Sequence, residues 1–208
     1  MRVAVVDIGS NSTRLLIADA NRGGSIKELL RRSEVTRLGD GVDAHGALSQ
    51  QAIERVLRTL ADYRREIDRH RCEANFAVLT AAVREAANGA QFAARVREQF
   101  ALDAHVLSGD EEAQLTFLGA MSDERLERRA SASEPVVVID IGGGSTEFVV
   151  GHDRHIPRLR PLILNRMGSS VPSTRRPKAS ARMEGTIIRY RIAQGFKQAS
   201  PHVGLSPT

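Results

Sequence analysis

Short apolar runs typical of strands alternate with longer amphipathic segments along the first part of the chain. Residues 3–8 and 15–18 predict two strands joined by a tight loop, and residues 26–38 predict a third strand after a turn at residues 23–24. Two further runs also predict short strands: residues 76–79 and 105–107. Because strands alternate with helical segments, we expect an α/β fold.

Apolar residues recur at intervals of three and four positions in three segments, which predicts three amphipathic helices. Ser49 is the predicted N-cap of the first helix. The apolar face of this helix comprises Ile53, Val56, Leu57, Leu60 and Ile67. The second helix is expected to begin near Asn88. Asp110 is predicted to cap the third helix, which runs to about residue 121.

A later part of the chain repeats the arrangement with which the chain begins. After a charged loop at residues 123–134, Pro135 opens a predicted strand at residues 136–141. A Gly/Ser loop then leads into a return strand at residues 148–150. An apolar strand with an Asp near its end, a Gly/Ser loop and a second strand therefore occur twice. This internal repeat predicts two similar domains that face each other.

The pattern fails beyond Gly151, where six of the seven prolines lie among Arg, Ser and Gly. Only residues 186–192 resemble a strand there. Such a composition buries too little apolar surface to offset the entropy lost by an ordered chain. We therefore expect a first domain at residues 1–125, the start of a second at 126–151, and a basic, mostly disordered tail at 152–208.

The net charge of +5 arises from this tail. Residues 152–208 contain 11 Lys and Arg against 2 Asp and Glu, which leaves 19 basic and 23 acidic residues in 1–151, a net charge of −4. Because the body is mildly acidic, nucleic acid is not an expected partner. No segment is apolar enough to span a membrane, and the single Cys72 permits no internal disulfide. We therefore expect a soluble, cytoplasmic protein.

Asp7 and the residues after it form the first candidate site. Gly9 at a strand end permits a tight turn in which successive N–H groups point into one concavity that suits an anion. Ser10, Asn11 and Ser12 add side-chain donors. An ordinary β-hairpin turn explains the same residues, so this loop alone does not predict a phosphate site.

A second loop makes phosphate binding the better explanation. It comprises Gly142, Gly143, Gly144 and Ser145. Three consecutive glycines carry a high entropic cost in a simple turn, but they let a backbone approach a phosphate closely. Asp140 and Glu147 flank the loop, and their carboxylates are ligands that Mg²⁺ prefers. Two such loops, each after an apolar strand with an Asp, are harder to explain as turns.

Two segments between the loops carry further candidates. Arg84 follows a predicted strand, at the end where ligands collect in α/β sheets, and its guanidinium could bind phosphate oxygens in pairs. A surface arginine at a helix start is the alternative. Asp110 and Glu111 suit the positive end of a helix dipole. Glu112 could instead project into the cleft and orient a water as general base.

Four segments resemble, in order and approximate spacing, motifs of the exopolyphosphatase/guanosine pentaphosphate phosphatase family: DIGSNSTRLL, TAAVREA, SGDEEAQLTFLGA and DIGGGSTEF. The segment GALSQQAIERVL also resembles a helix of that family. The resemblance covers residues 1 to about 151. It implies the actin-like, sugar kinase and Hsp70 superfamily, with two ribonuclease-H-like domains and a cleft between them, the second of which is incomplete here.

The resemblance also implies roles for the candidate residues. Gly9, Ser10 and Asn11 would form the first phosphate loop, and residues 142–145 the second. Arg84 would grip phosphate, and Glu112 would activate water. The metal-site residues would be Asp140 and Glu147, which support Mg²⁺, and Asp7, which helps to position a metal-bound water.

The resulting hypothesis is a Mg²⁺-dependent phosphohydrolase that acts on inorganic polyphosphate or on the 5′ γ-phosphate of pppGpp. Whether the protein forms a homodimer is left open. In the family the second domain continues beyond the DIGGGSTEF hairpin, whereas here a Pro/Arg/Ser-rich stretch follows. We therefore expect a truncated or frameshifted gene product, whose own activity stays open.

Two other functions compete with this hypothesis. An actin-like ATPase or sugar kinase-type nucleotide binder would share the paired phosphate loops. A non-catalytic fragment could bind polyanions through its basic tail, which contains residues 175–178 (RRPK), by releasing counterions.

Overall fold

A five-stranded mixed sheet forms the larger part of the structure, a computed structural model. Its strands are β1 (Arg2–Ile8), β2 (Ser12–Ala20), β3 (Ile26–Val35), β4 (Ala74–Leu79) and β5 (Asp103–Val106). They lie in the order β3-β2-β1-β4-β5. The first three pair antiparallel, whereas β4 runs parallel to both β1 and β5. The predicted α/β fold is confirmed.

The structure describes residues 1–21, 25–122, 136–142, 145–151 and 162–165. The predicted turn at residues 23–24, the charged loop at 123–134 and the possible strand at 186–192 lie outside these residues. The predicted domain boundaries near residues 125 and 151 also fall at their limits, so the division of the chain stays a prediction.

Five helices are present in this part of the chain. They are α1 (Val42–His45), α2 (Gln50–Arg69), α3 (Ala81–Glu85), α4 (Gly89–Phe100) and α5 (Gly109–Met121). The predicted cap of α2 is confirmed, because the Ser49 side chain accepts a hydrogen bond of 3.2 Å from the N–H of Ala52. The predicted apolar face of α2 is buried in the core of the first sheet, together with Phe92, Val96 and Phe100 on one face of α4. None of the described helices is long and apolar enough to cross a membrane.

The predicted cap of α5 is wrong. Ser108, not Asp110, is the N-cap, and it forms a capping box with Glu111. The Ser108 hydroxyl accepts from the Glu111 N–H at 3.2 Å, while the Glu111 carboxylate accepts from the Ser108 N–H at 2.8 Å. A serine followed three positions later by a glutamate satisfies two free N–H groups at once, which one aspartate cannot do.

The third strand is shorter than predicted. β3 ends at Val35, because the next N–H groups leave the ladder. Those of Thr36 and Arg37 donate instead to the carbonyl of Asn11, at 3.0 and 2.8 Å. Arg37 takes a left-handed backbone conformation with φ of 49°, which turns the chain toward the loop after β1.

A second, antiparallel sheet contains β6 (Val136–Ile141), β7 (Ser145–Gly151) and β8 (Leu162–Asn165). β8 was not predicted, since it lies in the segment expected to be mostly disordered. Helix α5 packs on this sheet rather than on the first. The cluster that joins them comprises Ala113, Phe117, Ala120, Met121, Val136, Val138 and Val149.

Candidate functional site

The parallel strands of the first sheet end at one edge, and three candidate groups follow them there. The loop of Gly9 follows β1, Arg84 lies in the short helix after β4, and Glu112 lies in the first turn of the helix after β5. Ligands collect at the carboxyl ends of strands in open α/β sheets. The topology therefore explains why residues far apart in sequence share one place.

The first loop is a tight hairpin turn with an unusual division of its polar groups. The Gly9 N–H donates to the Ser12 carbonyl at 3.0 Å, which closes the turn. The Ser10 carbonyl accepts from the Gly39 N–H at 2.8 Å. Within the described residues, the N–H groups of Ser10 and Asn11 donate to no protein acceptor. The carbonyls of the loop therefore accept hydrogen bonds from the rest of this chain, whereas the N–H groups of Ser10 and Asn11 are available to bind an anion.

Asp7 is the penultimate residue of β1 and faces Arg14 across the hairpin. The Arg14 Nη1 atom lies 3.7 Å from the Asp7 Oδ2 atom. Burial raises the pKa of Asp7 to about 6; Arg14 opposes the rise, while the carboxylates of Glu112 and Asp140 add to it. The carboxylate of Asp7 on β1 is thus close enough to those of Glu112 on α5 and Asp140 on β6 to be repelled by each.

Arg84 and Glu112 form a half-buried ion pair. The Arg84 Nη1 atom donates to the Glu112 Oε2 atom at 3.0 Å and to the Leu107 carbonyl at 2.8 Å. The Glu112 side chain is only 14% exposed, whereas Asp110 and Glu111 are exposed. Hydrogen bonds from Ser108 lower the pKa of Glu111. Of the three acids in this turn, Glu112 is the one directed toward the other candidate residues.

Asp140 is the penultimate residue of β6, as Asp7 is of β1. The Thr116 hydroxyl donates to the Asp140 Oδ2 atom at 3.4 Å. In the β6–β7 hairpin Asp140 pairs with Glu147, in the register that pairs Asp7 with Arg14 in the first hairpin. The predicted internal repeat is therefore present in the strand pairing. At the position that Glu147 takes in the second hairpin, the first hairpin has Arg14.

Only part of the second predicted phosphate loop is described. Gly142 is exposed at the end of β6, and Ser145 begins β7. Gly143, Gly144 and the side chains of Ser145 and Glu147 lie outside the described part, so the predicted roles of these residues stay predictions.

The oxygen donors near Asp7 fit a magnesium ion. In the part of the chain that the structure describes, no three His, Cys, Asp or Glu residues are grouped to hold a metal. Mg²⁺ does not need such a group, since it keeps several waters and commonly uses one or two carboxylates plus phosphate oxygens. Asp7 and Asp140 supply carboxylates whose repulsion a cation would relieve. The donor set is consistent with Mg²⁺, which stays a prediction.

Two residues beside the site were missed by the sequence analysis. Arg14 pairs with Asp7, and Thr116 donates to Asp140. The repeat offered a signal for Arg14, because aligning the two hairpins places it opposite an Asp. Nothing in the sequence pointed to Thr116, whose contact depends on how α5 packs against β6.

The mixed sheet, followed by a hairpin that repeats its first one, is that of the actin-like ATPase fold. Within that class the chain belongs to the Ppx/GppA phosphatase family, whose model matches residues 16–168. The family resemblance predicted from the four motifs is therefore confirmed.

Relatives and solved structures agree with this assignment. The chain is 40% identical over 158 residues to Exopolyphosphatase 2 of Mycobacterium tuberculosis, a match that covers 72% of this chain and 48% of the relative. A Ppx/GppA enzyme of Aquifex aeolicus is 36% identical, with a TM-score of 0.67, over 78% of this chain and 52% of that one. An exopolyphosphatase structure from Cytophaga hutchinsonii is 29% identical, also with a TM-score of 0.67, over 77% and 50%. The chain spans about half the length of the relatives it matches.

Proposed function

We propose that this chain provides the water-activating half of the site in a Mg²⁺-dependent phosphohydrolase that removes terminal phosphates from inorganic polyphosphate or pppGpp. The observation that carries the proposal is the position of Glu112, which is paired with Arg84, only 14% exposed and near enough to the carboxylate of Asp7 to affect its pKa. The names of the exopolyphosphatase relatives favour polyphosphate.

The residues divide the work of phosphoryl transfer, which needs positioning and charge neutralisation more than covalent help. The free N–H groups of Ser10 and Asn11 bind oxygens of the phosphate chain. The guanidinium of Arg84 has donors beyond Nη1 that can hold the terminal phosphate. These groups place the phosphorus atom in front of the attacking water.

Glu112 acts as the general base. Its carboxylate orients the water and takes its proton as the oxygen attacks the terminal phosphorus and the bond to the leaving phosphate breaks. The ion pair with Arg84 holds this carboxylate in place. Asp7 and Asp140, with Glu147, would hold Mg²⁺, which neutralises phosphate charge when it is bound.

The test compares phosphate release by Glu112→Gln and the parent chain, on long-chain polyphosphate and on pppGpp in separate assays with Mg²⁺. Glutamine keeps the size and a hydrogen bond to Arg84 but is not basic, so release should fall at least about a hundredfold. Asp110→Asn, in the same helical turn but exposed, is the control and should keep its activity. Equal rates for Glu112→Gln and the parent would remove Glu112 from this role.

An ATP titration separates this proposal from the nucleotide-binding alternative. A phosphohydrolase of this type should bind tripolyphosphate and ATP alike, because its groups contact phosphates alone. ATP bound at least tenfold more tightly than tripolyphosphate, without phosphate release from polyphosphate, would favour the kinase-like function.

A further inference from the structure

A short segment after β3 holds the carbonyl side of the first loop. We call residues 36–39 the strap. Three of its four backbone N–H groups, those of Thr36, Arg37 and Gly39, donate to carbonyls of the loop at 2.8–3.0 Å. Those carbonyls belong to Ser10 and Asn11, the two residues whose own N–H groups have no protein acceptor in the described structure. A carbonyl shares its planar peptide with the N–H of the next residue, so the bond to the Ser10 carbonyl orients the Asn11 N–H directly. The bonds to the Asn11 carbonyl hold the other end of the turn that also carries the Ser10 N–H.

The strap is held in turn from helix α2. The Arg55 Nε atom donates to the Thr36 carbonyl at 2.8 Å, and its Nη2 atom donates to the Arg37 carbonyl at 3.1 Å. Arg55 is half-buried and makes no ion pair among the described residues. Its two neighbours along the helix, Val56 and Leu57, are buried in the first core, so the base of the side chain is fixed.

The strap needs this support because its backbone is not in a relaxed conformation. Arg37 has a φ of 49°, a left-handed value that is unfavourable for a residue with a side chain. The guanidinium fork binds the carbonyls on both sides of that bend, before and at Arg37. It therefore holds the conformation in which the N–H groups of Thr36 and Arg37 both donate to the backbone carbonyl of Asn11.

We propose that Arg55 is a positioning residue for phosphate binding, acting through the strap on the first loop. It rests on the proposed function, because it assumes that the N–H groups of Ser10 and Asn11 bind phosphate oxygens. Donors that are already oriented bind an anion more tightly than donors that must be ordered at the moment of binding. Without Arg55, the strap loosens and the loop's donors lose their fixed direction.

The first measurement is amide hydrogen exchange, followed by NMR, on the full chain. In Arg55→Gln the N–H groups of Arg37 and Gly39 should exchange about tenfold faster or more, because charge-assisted hydrogen bonds to the strap are lost. The N–H of Val6 in β1 is the internal reference. Arg58→Gln, an exposed arginine one turn nearer the middle of α2, is the matched control and should leave these rates unchanged.

The second measurement is a calorimetric titration with imidodiphosphate and Mg²⁺. Imidodiphosphate is a pyrophosphate analogue that resists hydrolysis. Arg55→Gln should raise its dissociation constant about tenfold while the stoichiometry stays unchanged. A variant that merely unfolds in part would show the reverse, fewer sites of unchanged affinity. Arg55→Lys should lie between, since one ammonium cannot reproduce a fork that spans two carbonyls.

The outcomes separate this inference from the proposed function. Faster exchange together with weaker binding supports the inference. Unchanged exchange overturns it, and so does faster exchange with unchanged affinity, which would make Arg55 a structural residue only. A parent chain that binds no imidodiphosphate overturns the proposed function, and the inference with it, whatever the exchange rates show.

Discussion

The carboxyl group of Asp7 lies in surroundings that favour its neutral form. Burial is the largest cause, and the neighbouring carboxylates of Glu112 and Asp140 add to it, so that its pKa rises from 3.8 to about 6. The side chain still has 38% of its surface exposed, which moderates the energetic consequence. Water screens part of the repulsion.

Asp7→Asn should stabilise the protein at neutral pH when Mg²⁺ is absent. Between pH 4 and 6 the folded state keeps a proton on Asp7 that the unfolded chain has already released. The contribution of this group to the free energy of unfolding therefore falls as pH rises through that window. Asparagine removes the charge. The Tm of Asp7→Asn should exceed that of the parent at pH 7.5, and the gain should vanish near pH 4.

Asp19 provides a control of opposite sign. Its hydrogen bonds from Arg2 lower its pKa, so its charge stabilises the fold. Asp19→Asn should therefore lower the Tm at pH 7.5, by an amount that shrinks as pH falls below its ordinary pKa. A gain for Asp7→Asn that is the same at both pH values would contradict the account of Asp7.

A buried hydroxyl group on the long helix α2 donates a hydrogen bond to the central hairpin. Tyr63 donates to the Thr13 carbonyl at 2.8 Å, and both residues are buried. Burial raises the pKa of Tyr63 to about 12, so the hydroxyl keeps its proton and donates throughout the physiological range. This contact joins α2 to the strand that begins just after the first loop.

Tyr63→Phe should lower the free energy of unfolding by about 1–2 kcal/mol, because it leaves a buried carbonyl without this donor. Urea denaturation at pH 7 measures the change. Thr59→Ala on the same helix is the control, since its hydroxyl returns only to the carbonyl of Arg55 and is partly exposed. If Tyr63→Phe proves as stable as the parent, the carbonyl of Thr13 must find another donor.

Elements with local signals could be predicted, and those that depend on distant partners could not. The alternation of apolar runs located β1, β4 and β6, and Ser49 marked the start of α2. The capping box at Ser108 and Glu111 was also readable, but the acidic run drew the prediction to Asp110. β8 has three apolar residues between proline- and arginine-rich stretches, and its pairing with β7 supplies the information that its sequence lacks.

The candidate site shows the same division. Asp7, Arg84, Glu112 and Asp140 could be selected from motifs. In the structure Arg84 contacts Glu112, and the carboxylates of Glu112 and Asp140 lie near enough to Asp7 to affect its pKa. Arg55 and Thr116 could not be selected, because the two carbonyls that Arg55 contacts and the carboxylate that Thr116 contacts are contributed by other elements. Candidate chemical residues can be recognised in the sequence by their motifs, whereas residues that contact them can be recognised only in the structure.

At the scale of the whole molecule, α5 connects the candidate residues of the first sheet with those of the second. Its first turn contributes Glu112, which pairs with Arg84 at the first sheet, while its remaining turns pack on the second sheet. The two hydrophobic clusters of the described structure are separate, and α5 contributes only to the second. The position of Glu112, the proposed general base, therefore depends on a core that also carries Asp140.

Gly151 and Phe117 can show whether this second core is an energetic unit of its own. A Cβ atom at Gly151 would lie 2.3 Å from the Cζ atom of Phe117. Gly151→Ala should therefore force the ring to move and lower the free energy of unfolding by about 1–3 kcal/mol. Phe117→Leu makes room, so the double variant should be at least about 1 kcal/mol more stable than additivity predicts.

A control double-mutant cycle combines Gly151→Ala with Tyr63→Phe. Tyr63 lies in the first core and shares no partner with Gly151. Urea denaturation should give additive changes here, within about 0.5 kcal/mol, because sites without common contacts act independently. Additivity in the Phe117 cycle would mean that the ring does not oppose Gly151. Strong coupling in the Tyr63 cycle would instead mean that the two clusters respond as one energetic unit.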